Sequence, residues 1–189
     1  MSSVRLHLLD CAIAVIAERG LAALSHRAVE ERAGFAHGAT TYHFRTRREL
    51  LLAVLRRLGE REQRTLAVYL GGRDVDAVSG DPQALRDLLV HHLQRLIADR
   101  ADLLARYELF LHAARNPDLQ PEVQRWRAVF AGMAQPLLAA LGAPDPAAAA
   151  PGLMAGLEGF LFGQLVDPRP ADPARVRAHL DALLHAWTI

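Results

Sequence analysis

The amino-acid sequence predicts an all-α protein of about nine helices, in which a three-helix head precedes a helical bundle. Two observations predict this fold class. Val, Ile, Thr and aromatic residues are sparse, and no alternating apolar run is bounded by turn residues as a strand would be. Hydrophobic residues make up 51% of the 189 residues and charged residues 23%, so the chain can bury a substantial core.

The first helix carries an apolar stripe and ends at a glycine. Leu6, Leu9, Ile13 and Ile16 fall on one helical face, because neighbours on a helix face are three or four residues apart. Gly20 ends this helix as a C-terminal cap. One face of the first helix is therefore expected in a core.

Three further helices follow at short intervals. Ser25 is placed to cap a short helix over residues 26–33, and Gly34 breaks that helix. A second short helix is expected at about 37–43. A longer, leucine-rich helix begins near Arg47.

Gly, Asp and Pro residues divide the rest of the chain. A linker is expected at 71–82, a loop at 142–146 and a turn at 167–173. Pro136 is expected to bend the helix that contains it. The helices between these breaks are expected over residues of about 82–98, 101–114, 118–141, 147–166 and 174–187.

The formal charge differs between a predicted head, residues 1–57, and a predicted body, residues 58–189. The head has nine Arg and five acidic residues, for a net charge of +4, and the body has thirteen Arg and sixteen acidic residues, for −3. A basic head indicates an anionic partner. Charge alone leaves chance fluctuation equally open.

The segment from Leu24 to Phe44 has the spacing of a helix-turn-helix. Two helices of two turns each are joined at Gly34, where the turn requires a positive φ. Val29 and Phe35 can pack between the two helices. The second helix would then project into the major groove of DNA.

Polar residues on and around the second helix suit contact with DNA. His26 and Arg27 are cations in a first helical turn, where they oppose the helix dipole, and a bound phosphate would remove that conflict. Short or flat polar side chains reach base edges or phosphates with little loss of entropy. An ordinary solvated surface is the alternative for each residue taken alone. The residues expected to contact DNA are Ser25, His26, Arg27, His37, Gly38, Thr40, Thr41, Tyr42, His43 and Arg47.

Several short motifs follow one another in order over residues 5–55. They are the helix ending at Gly20, Leu24-Ser25-His26-Arg27, Ala33-Gly34, Gly38, Tyr42-His43-Phe44 and Arg47-Arg48-Glu49-Leu50-Leu51. In this order they resemble the DNA-binding head of the TetR/AcrR family of bacterial regulators. The rest of the chain resembles the family mainly in helix number and length. The resemblance implies a DNA-binding regulator with a head and a body.

The sequence departs from the family pattern around the second short helix. Glu30 stands where the family usually has a small residue, and Ala36 stands where it has Ser, Thr or Pro. Ala36 has no side-chain oxygen, so we expect a recognition helix that is less rigid without DNA. The family's tyrosine falls on Thr41, with Tyr42 one place later, which leaves open which of the two contacts phosphate.

The resemblance also implies a small-molecule pocket in the body. Aromatic residues at helical spacing would line it, with a few polar side chains close in sequence. Ordinary core packing is the alternative. The ligand candidates are His91, Tyr107, Glu108, Phe110, Leu111, His112, Trp126, Phe130, Met133 and Gln164. A single i, i+4 pair, Glu108 and His112, is weak support for a metal site, and no metal or other cofactor is expected.

The helix at 147–166 carries four glycines on one face. Each costs about 0.5–1 kcal/mol relative to Ala in a helix interior, and the close approach of another helix would offset that cost. By resemblance, this helix and the last helix form the interface of a homodimer, which presents two heads to a palindrome. Packing within one chain is the alternative. The interface candidates are Gly152, Gly156, Gly159, Gly163, Leu180, Leu184 and Trp187.

These patterns together predict a ligand-responsive, homodimeric regulator. The resemblance favours a repressor that a small molecule releases from a palindromic operator on double-stranded DNA, with the helix at about 47–70 moving on ligand binding. One alternative is a helical small-molecule-binding protein or enzyme with a helix-turn-helix-like N-terminus. Another is a DNA-binding protein whose body serves only dimerisation.

Catalysis and membrane insertion find little support in the sequence. No nucleophile–base pair, phosphate-binding glycine loop or zinc spacing is present, so no catalytic residue is expected. Cys11 lies among apolar residues and is expected to be buried and inert. A cytoplasmic location without a membrane partner is expected, since neither a signal peptide nor an uncharged stretch of about 18 residues is found.

Overall fold

The computed structural model describes residues 3–69, 81–167 and 172–186, and these ranges contain nine α-helices and no strand. The all-α prediction is confirmed. A single 3-10 turn, Leu21–Ala23, follows the first helix. The α-helices are α1 (Ser3–Arg19), α2 (His26–Ala33), α3 (Ala39–His43), α4 (Arg47–Tyr69), α5 (Pro82–Ala98), α6 (Arg100–Ala114), α7 (Gln120–Ala140), α8 (Pro146–Val166) and α9 (Pro173–His185).

Local sequence signals account for most helix ends. Ser25, Asp81, Asp145 and Asp172 each accept a hydrogen bond from a backbone N–H of the first turn that follows, as N-terminal caps do. In α5, α8 and α9 a proline occupies the first turn, where its missing N–H costs nothing. Most of the predicted linker at 71–82 and part of the predicted turn at 167–173 lie outside the described residues.

The first of two compact units contains Met1–Arg61 and Arg100–Gln124. In this unit α1 packs against α2 and α6. Leu9, Ile13 and Ile16 of the predicted stripe are buried, and Leu6 is half-buried. Cys11 is buried, and burial raises the pKa of its thiol, as expected for an inert cysteine.

Arginines on the first half of α4 form ion pairs inside the first unit. The Arg57 Nε and Nη2 atoms donate to the two Asp10 carboxylate oxygens on α1, at 2.8 and 2.9 Å. Arg56 Nε and Nη2 both donate to Glu122 Oε2 on α7, at 3.0 and 2.9 Å. These pairs fix the first half of α4 against its neighbours. The predicted domain boundary at residue 57 stays a prediction.

The second compact unit contains Glu62–Asp99 and Arg125–Ile189. Here α9 packs mainly against α5, with further contacts to α8. Arg177 on α9 pairs with Asp87 on α5. The ring of His179 stacks on Phe160 of α8, with centroids 4.1 Å apart.

The glycines of α8 differ in what lies against them. A Cβ on Gly156 would lie 2.5 Å from Leu183 Cδ2, so this glycine permits the close approach of α9 in the same chain. Leu180 and Leu184 are 0% and 2% exposed. The prediction that they contact a second subunit therefore needs correction, because both side chains lie in the chain's own core.

The other interface candidates on α8 remain available. A Cβ added to Gly159 or to Gly163 would meet no described atom within 4 Å, and both glycines are exposed. Gly152 is half-buried, and Trp187 lies outside the described residues. In length and composition α8 would also suit a membrane span, although helices of soluble proteins often do as well. Its one charged residue, Glu158, pairs with Arg127 of α7.

Candidate nucleic-acid interface

Helices α2 and α3 are joined by a tight turn with two glycines in the left-handed region. Gly34 has φ 68° and ψ 25°, and its N–H donates to the carbonyl oxygen of Glu30 at the end of α2. Gly38 has φ 96° and precedes α3 directly. Only glycine adopts such angles without strain. The prediction that the turn needs a positive φ at Gly34 is confirmed, and Gly38 also has a positive φ.

The carboxylate of Glu30 caps α3 from the neighbouring helix. Its Oε1 atom accepts the backbone N–H groups of Gly38 and Thr40, at 3.1 and 2.9 Å. Its Oε2 atom lies 2.9 Å from His37 Nδ1. Glu30 is only 3% exposed. The first N–H groups of a helix lack partners inside the helix, and here a buried acid supplies one.

This cap corrects the expectation drawn from Ala36. Ala36 does lack a side-chain oxygen, but the oxygen comes from Glu30, the other residue that departs from the family pattern. The hydrogen bond from His37 lowers the pKa of Glu30, and those from Thr40 and Gly38 lower it further, against burial, which raises it. The carboxylate is therefore ionised at neutral pH.

The predicted DNA contacts differ in their access to solvent. Ser25 is exposed while its Oγ atom caps α2. Thr41 is also exposed, and Tyr42 is 84% exposed, with its ring edge-on to the half-buried His43 at 5.1 Å. His26 is half-buried, and its Nε2 donates to the Phe44 carbonyl oxygen at 2.7 Å, which ties the start of α2 to the end of α3.

Thr40 requires a correction. Its side chain is 0% exposed, and no described residue gives its Oγ1 atom a hydrogen-bond partner. It therefore cannot reach a base edge while α3 is folded. Both Thr40 and Thr41 were predicted to contact DNA, because their polarity alone does not show that Thr40 faces the core.

The two candidate arginines are exposed and already have one partner each. Arg27 Nε donates to Glu31 Oε1 at 2.8 Å, and Arg47 Nη2 donates to the carbonyl oxygen of Leu21 at 2.8 Å. A guanidinium has five N–H donors in a fixed geometry. Each arginine therefore keeps donors for a phosphate.

A cap at the start of α4 was missed by sequence reasoning. Thr46 Oγ1 accepts the backbone N–H of Glu49 at 3.1 Å, and Glu49 Oε2 accepts the backbone N–H of Arg45 at 2.8 Å. The Thr-x-x-Glu spacing of a capping box was the available signal. Glu49 also opposes the unfavourable arginine charges in this first turn.

The ligand candidates on α6 belong to the first unit. Glu108 Oε2 accepts the backbone N–H of Leu21 at 2.9 Å, which gives this carboxylate a structural role. Tyr107 and Phe110 are half-buried, with ring centroids 6.4 Å apart. His112 is half-buried, whereas Leu111 is 59% exposed, so Leu111 is poorly placed to line a pocket.

The remaining ligand candidates belong to the second unit. Trp126 and Phe130 are buried on α7, with centroids 5.7 Å apart, and Met133 is half-buried. Gln164 is buried, and its Oε1 accepts from Arg175 at 2.7 Å. His91 is exposed, with its Nδ1 2.8 Å from the carbonyl oxygen of Asp87. Their role in ligand binding stays a prediction. No group of three potential metal ligands occurs among the described residues.

The two glycine-linked helices, with a short exposed second helix, place the chain in the class of helix-turn-helix proteins. Residues 8–54 match the family described as bacterial regulatory proteins, tetR family. Residues 80–186 match the tetracyclin repressor-like C-terminal domain. The chain belongs to the TetR family of transcription regulators, as the sequence resemblance predicted.

Solved structures agree with this assignment. The multidrug binding protein EbrR, in complex with imidazole, is 34% identical over 97% of this chain and 96% of its own, with a TM-score of 0.70. A TetR-family member from Streptomyces coelicolor A3 is 34% identical over 96% and 98%, with a TM-score of 0.76. A TetR-family regulator from Rhodococcus sp. is 26% identical over 100% of both chains, with a TM-score of 0.78. The comparison with curated protein sequences gives no match.

Family membership fixes the general activity. The chain is a ligand-responsive, DNA-binding transcription regulator and not an enzyme. Regulators of this family bind DNA and small molecules and form dimers. This excludes the enzyme alternative left open by the sequence.

Removing the Glu30 cap should destabilise the protein in a pH-dependent way. Glu30→Ala leaves the buried N–H of Thr40 and the part-buried N–H of Gly38 without their acceptor, at an expected cost of about 1–3 kcal/mol at pH 7. The pKa of Glu30 is below its ordinary value of 4.5 in the folded chain. Its contribution is therefore complete above the ordinary pKa and is lost as pH falls through the lower, folded value.

Urea denaturation of both proteins at a series of pH values from 7 downward measures this difference. The gap in unfolding free energy between wild type and Glu30→Ala should be constant near neutral pH and should narrow in acid. Glu18→Gln, at an exposed acid that pairs with Arg32, is the matched control and should have little effect. A free-energy difference that widens in acid would contradict the role of the ionised Glu30 carboxylate as the cap of α3.

Proposed function

We propose that this regulator is a homodimeric repressor that binds a palindromic operator through two copies of α3 and leaves it when a small molecule binds the body. The exposed, Glu30-capped α3 carries the proposal. Thr41 and Tyr42 face solvent on a helix whose start is hydrogen-bonded to Glu30. That is the arrangement in which a short helix presents side chains to a major groove.

Phosphate contacts would come from the groups around α3. The first turn of α2 has no acidic residue and carries the guanidinium of Arg27, so the N-terminus of this helix and Arg27 attract the same anion. Arg47 stands at the start of α4. These contacts would position the head on any duplex, and α3 would supply the sequence preference.

Dimerisation would use the outward faces of α8 and α9 in the second unit. Exposed apolar residues recur along α8 at helical spacing, and small exposed residues recur along α9. An apolar stripe of this kind is more consistent with a covered surface than with a solvated one. The exposed residues are Pro151, Ala155, Gly159, Phe162, Gly163 and Val166 on α8, and Ala174, Ala178 and Ala182 on α9.

The ligand is proposed to be an aromatic molecule. EbrR, at 33–34% identity, has been crystallised with ethidium, malachite green and proflavin. The candidates Tyr107 and Phe110 on α6 of the first unit, with ring centroids 6.4 Å apart, would supply flat apolar contacts for such molecules. Ligand binding would favour a state in which the two heads no longer match the half-site spacing. A cytoplasmic location without a membrane partner is part of the proposal.

The two neighbouring threonines of α3 should differ in their effect on DNA binding. With a duplex selected from a randomised library, Thr41→Val should change the base preference at one position. Thr40→Val should leave affinity unchanged and stability unchanged or raised by up to about 1 kcal/mol, because it removes an unpaired buried hydroxyl. Fluorescence anisotropy and urea denaturation measure the two effects. Equal loss of DNA affinity in both variants would contradict the orientation of α3. If the wild type shows no salt-dependent DNA binding, the proposed function itself is refuted.

A charge on the apolar stripe of α8 should weaken the dimer. Phe162 is 47% exposed, so Phe162→Glu should leave the fold intact while burying a carboxylate at the interface, which costs several kcal/mol. We expect a shift to monomer in sedimentation velocity at micromolar concentration. Val68→Glu, at a 76% exposed residue on α4, is the control and should stay dimeric. A monomeric wild type, or a Phe162→Glu dimer as tight as wild type, is inconsistent with the proposed interface.

Aromatic dyes should stabilise the folded protein. A ligand at 100 times its Kd adds about 2.7 kcal/mol, so malachite green or proflavin should raise the Tm measured by circular dichroism. Phe110→Ala should reduce this rise, and Val129→Ala, at a partly exposed residue on α7, should not. No rise with any of the three dyes of the EbrR complexes would favour a body that serves only dimerisation.

A further inference from the structure

One ring nitrogen of His37 is fixed by a buried acid while the rest of the ring faces solvent. The His37 side chain is 78% exposed, whereas that of Glu30 is 4% exposed. His37 Nδ1 lies 2.9 Å from Glu30 Oε2. The imidazole therefore has one nitrogen committed inside the protein and one, Nε2, left for a partner outside.

The two oxygens of the Glu30 carboxylate have different partners. Oε1 accepts two backbone N–H groups, from Gly38 and Thr40, and Oε2 faces His37. The two backbone bonds hold Oε1 in place independently of His37. The ionised acid has only acceptor oxygens, so the hydrogen between Glu30 Oε2 and His37 Nδ1 belongs to the histidine.

A neutral imidazole carries one N–H, and its other nitrogen is an acceptor. With the hydrogen on Nδ1, Nε2 of His37 presents a lone pair. In the major groove the donors that such a lone pair can meet are the N6 amino group of adenine and the N4 amino group of cytosine. Guanine N7 and O6 and thymine O4 are acceptors and would be disfavoured.

We propose that Glu30 is a positioning residue that selects the Nδ1–H tautomer whenever the His37 ring is neutral, so that Nε2 reads the exocyclic amino group of adenine or cytosine. This role in base readout rests on the proposed DNA-binding function. The tautomer itself is a property of the free protein. The other charged groups that line the shallow depression around His37 are Arg27 and Glu31, which are paired with each other at 2.8 Å.

Glu30→Gln separates the tautomer from the cap. The Gln side-chain oxygen can still accept the N–H groups of Gly38 and Thr40. Its NH₂ group then occupies the place of Oε2 and donates to His37 Nδ1, which must become the acceptor. The hydrogen moves to Nε2, so the nitrogen that faces outward changes from acceptor to donor.

Nitrogen-15 NMR of the histidine rings tests the tautomer in the full-length protein without DNA. The spectra are recorded at about pH 8.5, two units above the ordinary histidine pKa of about 6.5. We expect the Nδ1–H pattern for His37 in the wild type and in the control Glu18→Gln, and the Nε2–H pattern in Glu30→Gln. An Nε2–H wild type, or a tautomer unchanged in Glu30→Gln, would overturn the proposal.

Selection from a library of randomised duplexes at the same pH tests the readout. The wild type and Glu18→Gln should select adenine or cytosine at one position of the half-site. Glu30→Gln should instead favour guanine or thymine there, by about tenfold, because Nε2 of His37 then donates and these bases present acceptors. An identical preference in wild type and Glu30→Gln would overturn the readout role.

A second variant keeps the test decisive if Glu30→Gln does not fold. His37→Ala removes Nε2 and leaves the backbone contacts of Glu30 in place, so it should lose preference at that one position. If it selects the same base as the wild type everywhere, the readout role is wrong. If the wild type selects no sequence at all, the DNA-binding function fails while the tautomer result stands by itself.

Discussion

The head depends on the burial of one ionised carboxylate. Helix α3 has five residues, too few to be stable alone, because helix nucleation is unfavourable and isolated helices below about 12 residues are marginal in water. Glu30 of α2 accepts the backbone N–H of Thr40 in α3 and that of Gly38, which directly precedes α3. The orientation of every side chain on α3, including the exposed Tyr42 and the buried Thr40, follows from this attachment.

Burying an acid is costly unless its oxygens are fully hydrogen-bonded, and the turn between α2 and α3 provides those bonds. Gly34 and Gly38 both have positive φ, which turns the chain sharply enough for N–H groups eight and ten residues after Glu30 to point back at it. A side chain at either glycine would strain the turn. The glycines and the acid therefore depend on each other. The turn directs the N–H groups toward Glu30, and the Glu30 carboxylate accepts them.

Helix ends that depend on neighbouring residues were predicted from the sequence. Contacts between residues far apart in the chain were not. Ser25, Gly34 and the extent of α2 follow from residues within one turn of each other. In the sequence, Glu30 and Ala36 were two separate departures from the family pattern. Nothing in the sequence shows that the side chain of Glu30 reaches the backbone of Thr40, so the cap was not predicted. The same limit explains Leu180 and Leu184: helical periodicity identifies an apolar face, but a second helix of the same chain and a second subunit cover such a face equally well.

In the first unit, α6 is attached to the head at the turn between α1 and α2. In the first unit Glu108 accepts the N–H of Leu21, and the carbonyl oxygen of Leu21 accepts Arg47 at the start of α4. The turn between α1 and α2 is thus bonded at the same residue to α6 and to α4. Arg57 on the same helix, α4, donates two parallel hydrogen bonds to Asp10 of α1. Because a bidentate pair fixes geometry more tightly than a single hydrogen bond, α1, α4 and α6 are held to one another around Leu21 by directional polar contacts.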